Sequence, residues 1–163
     1  MTSLIPMEPN DYANFMQKAI DVYAQDNIKS GTWKPEETVE KSREEFNRLL
    51  PDGLKTQDQF LFSIIDEKNS NRIGDLWVQV KMSSPHRRAF ICDFIIDPQY
   101  RGQGYGKSSL QALDEKLAQM NVESVSLHVF AHNTTAVSLY EKMGFSATNL
   151  YMSKKIIDHS ISS

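Results

Sequence analysis

The segment Asp97-Pro98-Gln99-Tyr100-Arg101-Gly102-Gln103-Gly104-Tyr105-Gly106-Lys107-Ser108 sets three alternate glycines between a β-prone run and a helical pattern. Glycine permits tight turns with positive φ and removes the side chains that would hold a ligand away from the backbone amides. A helix N-terminus directly behind it adds unpaired N–H groups and partial positive charge, so the loop suits a phosphate or pyrophosphate. Arg101 and Lys107 add full charges at the same place. A glycine-rich turn with no ligand is the plain alternative, because such a motif alone is weak. Two nucleotide motifs compete and fail. Gly106-Lys107-Ser108 imitates the end of a Walker A loop, but its first glycine would have to stand at Arg101. A dinucleotide fingerprint would need glycine at Lys107, and the next strand, ending at Phe130, brings no acid for a ribose.

Other side chains offer chemistry of a different kind. Asp93 interrupts an apolar run from Ala89 to Ile96, so its carboxylate is expected to be partly buried and to need a partner. It is a structural hydrogen-bonder or a base; Asp75, which also interrupts an apolar strand, ranks below it. Tyr140 shares a helix face with Ala136 and Met143 and on residue types alone reads as a core aromatic. Asn133 stands at an N-cap position. Cys92, the single cysteine, excludes an intramolecular disulfide, fits a reducing compartment and reads as a small buried hydrophobe. His128 and His132, four apart on an extended strand, lie ~13 Å from each other, too far to share one ion. No metal is expected.

These residues need elements to hold them. Leu4 to Met7 reads as an edge strand, and Pro9-Asn10-Asp11 opens a helix whose stripe is Tyr12, Phe15, Met16, Ile20 and Tyr23, ending near Ser30-Gly31. Glu36 to Leu50 suits a second helix packed by one narrow face. Phe60 to Ile65 and Ile73 to Val80 form a hairpin through Asn69-Ser70-Asn71, and Ala89 to Ile96 follows as a third strand. Behind the glycine loop Leu110, Leu113, Leu117 and Met120 repeat at helical spacing. Val122 to Phe130 then reads as a strand, Asn133 to Met143 as a helix stopped by Gly144, and Leu150 to Ile156 as a closing strand. The order β-α-α-β-β-β-α-β-α-β predicts a mixed α+β, or α/β, fold in one domain over residues 1–158, with 159–163 a frayed tail.

Composition bounds the rest. With 163 residues, 40% hydrophobic and 24% charged, the chain is long enough to build a stable core. A net charge of −3 argues against a general nucleic-acid binder. No stretch approaches the ~20 apolar residues of a membrane span and no secretory leader is legible, which predicts a cytoplasmic protein with no membrane partner.

The loop Arg101-Gly102-Gln103-Gly104-Tyr105-Gly106, preceded by Phe94-Ile95-Ile96-Asp97-Pro98, resembles the acetyl-CoA loop of the GNAT superfamily of N-acetyltransferases. The stretch Leu127 to Phe145, with its strand, Asn133, helix, Tyr140 and Gly144-Phe145, resembles the second signature of that family. The likeness covers roughly residues 60 to 156. It implies a GNAT fold: a central, mostly antiparallel sheet that splays into a V between its fourth and fifth strands, with acetyl-CoA entering the gap as cosubstrate. Backbone amides from Arg101 to Gly106, assisted by Lys107, would then hold the pyrophosphate. The backbone of Phe94, Ile95 and Ile96 would pair with the pantetheine arm, and Asn133 would bind that arm from the other side. Tyr140 would protonate the leaving thiolate.

The resemblance also implies direct attack by an amine of a small molecule or protein in a ternary complex. An alkylammonium with a pKa of ~10.4 must first lose a proton. Where many relatives carry a glutamate this chain has Cys92, so the base is Asp93 or a chain of water. The acceptor would lie near Tyr23, Asn27, Trp33 and Trp77, residues that serve equally as core or lid. A non-catalytic acyl-CoA-binding regulatory or sensor module is the alternative function, and a homodimer is left open.

Overall fold

The computed structural model describes residues 1–36 and 39–157. β1 (Thr2–Pro6) leads into α1 (Pro9–Lys29), which starts with a proline at its first position, where a missing N–H costs nothing. Phe15, Ala19, Ile20 and Ala24 form its buried stripe. α2 (Val39–Leu49) buries Phe46, and the Ser42 hydroxyl donates to the Ile20 carbonyl at 2.8 Å, fixing α2 against α1. β2 (Gln59–Asp66), β3 (Arg72–Val80) and β4 (Arg87–Ile96) make an antiparallel meander. α3 (Tyr105–Gln119) then crosses over to β5 (Val122–Leu127), which pairs parallel with β4, and α4 (Thr134–Lys142) follows.

The sheet runs β1-β2-β3-β4-β5, and its two faces sort the side chains. Phe62, Ile64, Leu76, Val78 and Ile91 meet Leu110, Leu113 and Leu117 of α3 on one face. Leu61 and Trp77 meet Phe15, Ile20 and Phe46 of α1 and α2 on the other. No helix among the described residues is long and apolar enough to cross a membrane.

Two bulges within the antiparallel meander disturb the alternation and re-aim side chains. Trp77 pairs with Asp93 but Val78 pairs with Ile91, so Cys92 is an extra residue in β4. Before it, Ala89 and Ile91 face α3; after it, Phe94 and Ile96 do. Asp93 therefore lies opposite Trp77 on the α1 side instead of pointing into the α3 core. A second bulge sits at Ile73, and next to it a Cβ on Gly74 would run into the Ile95 carbonyl oxygen. Glycine there lets β3 and β4 approach closely where β4 borders the cleft.

Asp75 is 2% exposed and ion-paired with Arg72, whose Nη1 also meets Asp97 Oδ2 at 3.0 Å. That buried clamp ties β3 to the end of β4 and gives Asp75 a structural place. The closing strand expected at Leu150 to Ile156 does not form: the segment has no ladder partner among the described residues and is exposed throughout. Its residue types favour β geometry, but a strand exists only where an edge receives it. β5 also stops at Leu127, three residues before Phe130, because the chain there diverges from β4. The tail expected to fray, 159–163, lies outside the described residues.

Candidate active site

The β4–β5 ladder ends at the pair Ile91 and Leu127, whereas β4 continues to Ile96. From Cys92 onward the β5-facing edge of β4 is unpaired, and His128 to Phe130 turn away as an opposite wall. The result is a V-shaped cleft holding a cavity of about 350 Å³, within the ordinary range of small-ligand sites.

At one end of the cleft lies the glycine loop. Gly102 and Gly104 have φ of +74° and +85°, and a Cβ built on either would meet nothing within 4 Å. Gly104 caps α3, and the Ser108 amide is the first to be taken up, by Gly104 O at 3.1 Å. Among the described residues no acceptor meets the amides from Gly102 to Lys107, which form an open cluster at the helix N-terminus. Arg101 Nε donates to Ile96 O at 2.9 Å and Gln103 Nε2 to Gln99 O at 3.2 Å, so both side chains brace the loop. Tyr105 sends its phenol to Asp66 Oδ2 at 2.7 Å, leaving its amide to the cluster, and Lys107 is exposed. Gly106 serves packing: a Cβ there would stand 2.9 Å from Leu139 Cδ2 of α4.

Midway along the cleft Asp93, Tyr140 and Asn133 contribute to the lining. Burial, reinforced by the charges of Asp75 and Asp26, pushes the Asp93 carboxyl up to about 7, although the Phe94 amide donates to its Oδ1 at 3.0 Å. A carboxyl poised near neutrality suits proton abstraction. Tyr140 is pushed up to about 12 by burial and by Asp93, so its phenol keeps its proton and can donate it. Its ring is fixed by Phe94 and Phe145, with centroids at 6.5 and 5.6 Å. Asn133 accepts from the Ala136 amide at 3.4 Å as the N-cap of α4 while still meeting the cavity. Cys92, half-buried, is pushed up to about 12 by burial and Asp93 and stays a thiol, a poor nucleophile.

At the far end α1 and α2 close the cavity. Asp26 and Glu45 line it with Asp93, no Lys or Arg does, and Tyr23, Phe46 and Trp77 supply aromatic faces. Asp26 Oδ1 contacts His132 Nε2 at 3.0 Å across the cleft mouth. Such a wall attracts a cation.

The profile of the Acetyltransferase (GNAT) family matches residues 16–145. The chain belongs to the GNAT acetyltransferase family. Similar proteins include the uncharacterized N-acetyltransferase YycN of Bacillus subtilis, 41% identical over 94% of this chain and 97% of that one. A crystal structure of YycN superposes with a TM-score of 0.92 over 97% of this chain and 100% of that one. A spermidine N(1)-acetyltransferase of Vibrio cholerae is 28% identical over 69% of this chain and 61% of its own length.

Of the residues that sequence reasoning gave this GNAT acetyltransferase, the structure brings Asp93, Phe94, Asn133 and Tyr140 together on the cleft lining, with the Arg101 to Lys107 loop at the end of β4. Tyr23 and Trp77 line the far end of the cavity, but Asn27 and Trp33 do not: Asn27 is buried on the Tyr23 carbonyl and Trp33 packs edge-on to Tyr23. Asp26 and Glu45 were missed. Asp26 follows Tyr23 by three residues on one helix face, a spacing that offered a signal; Glu45 reaches the cleft only through the packing of α2 on α1.

His128 and Phe130 reach the wall through ring contact at 4.9 Å. Among the described residues no three His, Cys, Asp or Glu side chains gather as a metal-binding group.

Proposed function

We propose that this chain transfers the acetyl group of acetyl-CoA to a primary amine on a small, multiply charged molecule of the polyamine kind, by direct attack within one domain spanning residues 1–158. The observation that carries the reading is a carboxylate-lined, aromatic cavity beside the unpaired edge of β4, with an open amide cluster in the loop that follows that strand. The loop fits the cosubstrate on its own geometry, since neither Gly102 nor Gly104 would place a Cβ against anything while their amides stay open. Arg101 to Gly106 hold the pyrophosphate, with Lys107 as a neighbouring charge. The free edge of Phe94 to Ile96 pairs with the pantetheine amides, and Asn133 closes from the α4 side. When bound, acetyl-CoA supplies an activated acetyl thioester.

Asp93 takes the proton that makes the ammonium a nucleophile, and the Tyr140 phenol donates to the departing sulfur. A phenol near 12 is a weaker acid than a thiol near 8.5, so its contribution is a hydrogen bond to developing negative charge, with the final proton coming from solvent. Cys92 forms no acyl intermediate. Asp26 and Glu45 attract the second cationic centre of the acceptor, as the name of the Vibrio relative suggests by analogy. The lone cysteine suits a reducing compartment, the cytoplasm.

Binding has a direct test. Acetyl-CoA at a hundred times its Kd is expected to stabilise the fold by ~2.7 kcal/mol, which raises the thermal midpoint by about 5 to 10 °C for a chain of this size. Gly104→Val forces a branched side chain to a φ of +85° and fills the space before the amides, so the shift is expected to vanish. A folded Gly104→Val protein with the full shift would remove the loop from cosubstrate binding.

A further inference from the structure

Gly104 stands at the N-cap of α3 with a φ of +85° and no side chain to accept from the first helical amides. Helices are ordinarily fixed at that point by a Ser, Thr, Asp or Asn side chain. Here such a side chain would fill the space that the amide cluster opens to a ligand, so the helix start must be fixed from elsewhere. Two residues of its first turn do so from the sheet side. The Tyr105 phenol donates to Asp66 Oδ2 at 2.7 Å, at the end of β2, and the Ser108 and Thr2 hydroxyls meet at 2.8 Å.

The first of these bonds is built as an anchor. Asp66 is 3% exposed, and its other oxygen accepts from the Lys68 amide at 3.0 Å, so the carboxylate cannot turn away. That amide, and then the phenol, hold the Asp66 carboxyl below the usual carboxylate range, while the same bond raises the Tyr105 phenol. At neutral pH the bond therefore joins a full charge to a phenol that keeps its proton, the stronger class of hydrogen bond. On the other side of the loop the Tyr100 ring meets the Tyr105 ring edge-on, with centroids 6.2 Å apart. Residues 101 to 104 are thus held between two tyrosines, the second of them tied to the β2–β3 hairpin, where the Asp66 amide is bonded to Asn71 O at 2.8 Å.

We infer that Asp66 and the Tyr105 phenol are a positioning pair for the cosubstrate, through which the β2–β3 hairpin sets the direction of the amides from Gly102 to Lys107. Asp66 acts only through Tyr105, on the footing that the loop holds acetyl-CoA. Donors already aimed at the ligand spare it the entropy of ordering them, so the bond is read in affinity. Its charge works the other way. A carboxylate one tyrosine side chain behind a pyrophosphate opposes the ligand, and on charge alone the loop would bind better without it.

Calorimetric titration of the full chain with acetyl-CoA tests the pair without relying on turnover. Tyr105→Phe keeps the ring against Tyr100 and is expected to raise Kd about tenfold, for the loss of one charge-assisted bond. Asp66→Asn keeps an oxygen for the Lys68 amide and an amide group for the phenol, so it is expected to raise Kd less, about threefold. The sign decides, because removing a negative charge behind an anion site would by itself tighten binding. In the Tyr105→Phe background Asp66→Asn is expected to add no further loss, since the bond is already gone. In turnover the loss should fall on the KM for acetyl-CoA and not on the KM for the amine. An unchanged or lower Kd in Asp66→Asn, or lowered thermal midpoints in both variants with an unchanged Kd, would overturn the positioning role and leave a contact of the fold. A wild type that binds no acetyl-CoA would overturn the acetyl-CoA reading of the loop itself, and the pair with it.

Discussion

Asp93→Asn is expected to lower kcat/KM for an amine acceptor by ~10²- to 10⁴-fold at pH 8, the range for loss of a positioned base, while making the protein more stable. Both effects come from the same burial. The folded-state carboxyl titrates at about 7 against an ordinary 3.8, so the native protein keeps a proton that the unfolded chain releases. Stability therefore falls as pH rises from about 4 to about 7 and is flat above, by up to roughly 4 kcal/mol for a shift of this size. Asn removes the charge yet keeps an oxygen for the Phe94 amide. The gain in thermal midpoint over wild type should be full at pH 8 and close to nothing at pH 4. In the pH profile of kcat/KM the wild type should show an acidic limb near 7, and the variant should lack it. An unchanged limb with unchanged turnover would return Asp93 to a structural role and leave proton removal to water.

Tyr140→Phe is expected to lower kcat by ~10²-fold with little change in thermal midpoint or acetyl-CoA affinity. The ring stays between Phe94 and Phe145, and only the donor is lost. Because the phenol titrates near 12, the loss should be uniform from pH 6 to pH 9, unlike that at Asp93. Tyr140→Ala differs in kind: it opens a cavity under α4 and should destabilise the fold by ~3 to 5 kcal/mol. Wild-type turnover in a stable Tyr140→Phe protein would take the phenol out of the reaction.

What was legible in the chain followed from local physics. Spacing placed all five strands of the sheet and all four helices to within a few residues, because apolar period and turn residues are local signals. The glycines of the loop were legible because positive φ and an open helix N-terminus restrict residue type. The bulge at Cys92 was not, since nothing in Ile91-Cys92-Asp93 distinguishes a bulged strand from a regular one, yet it turns Asp93 from the α3 core to the cleft.

Asp26 and Glu45 were hidden for a similar reason. They sit on helices whose polar positions look alike until α2 docks on α1 and leaves these two against the cavity. Leu150 to Ile156 was read as a strand on residue types that remain β-prone. What the chain alone could not state was whether an edge would receive it.

The most direct measurement is release of free thiol from acetyl-CoA by the purified protein, with spermidine, simple diamines, neutral-tailed monoamines and a lysine peptide as acceptors, and mass spectrometry of each amine. Thiol release that depends on the amine, matched by one acetyl group on the product and fastest with the multiply charged acceptors, is the expected result. A protein that acetyl-CoA stabilises, but that releases no thiol with any of these amines, would contradict the transferase reading and make the cleft a binding site without catalysis.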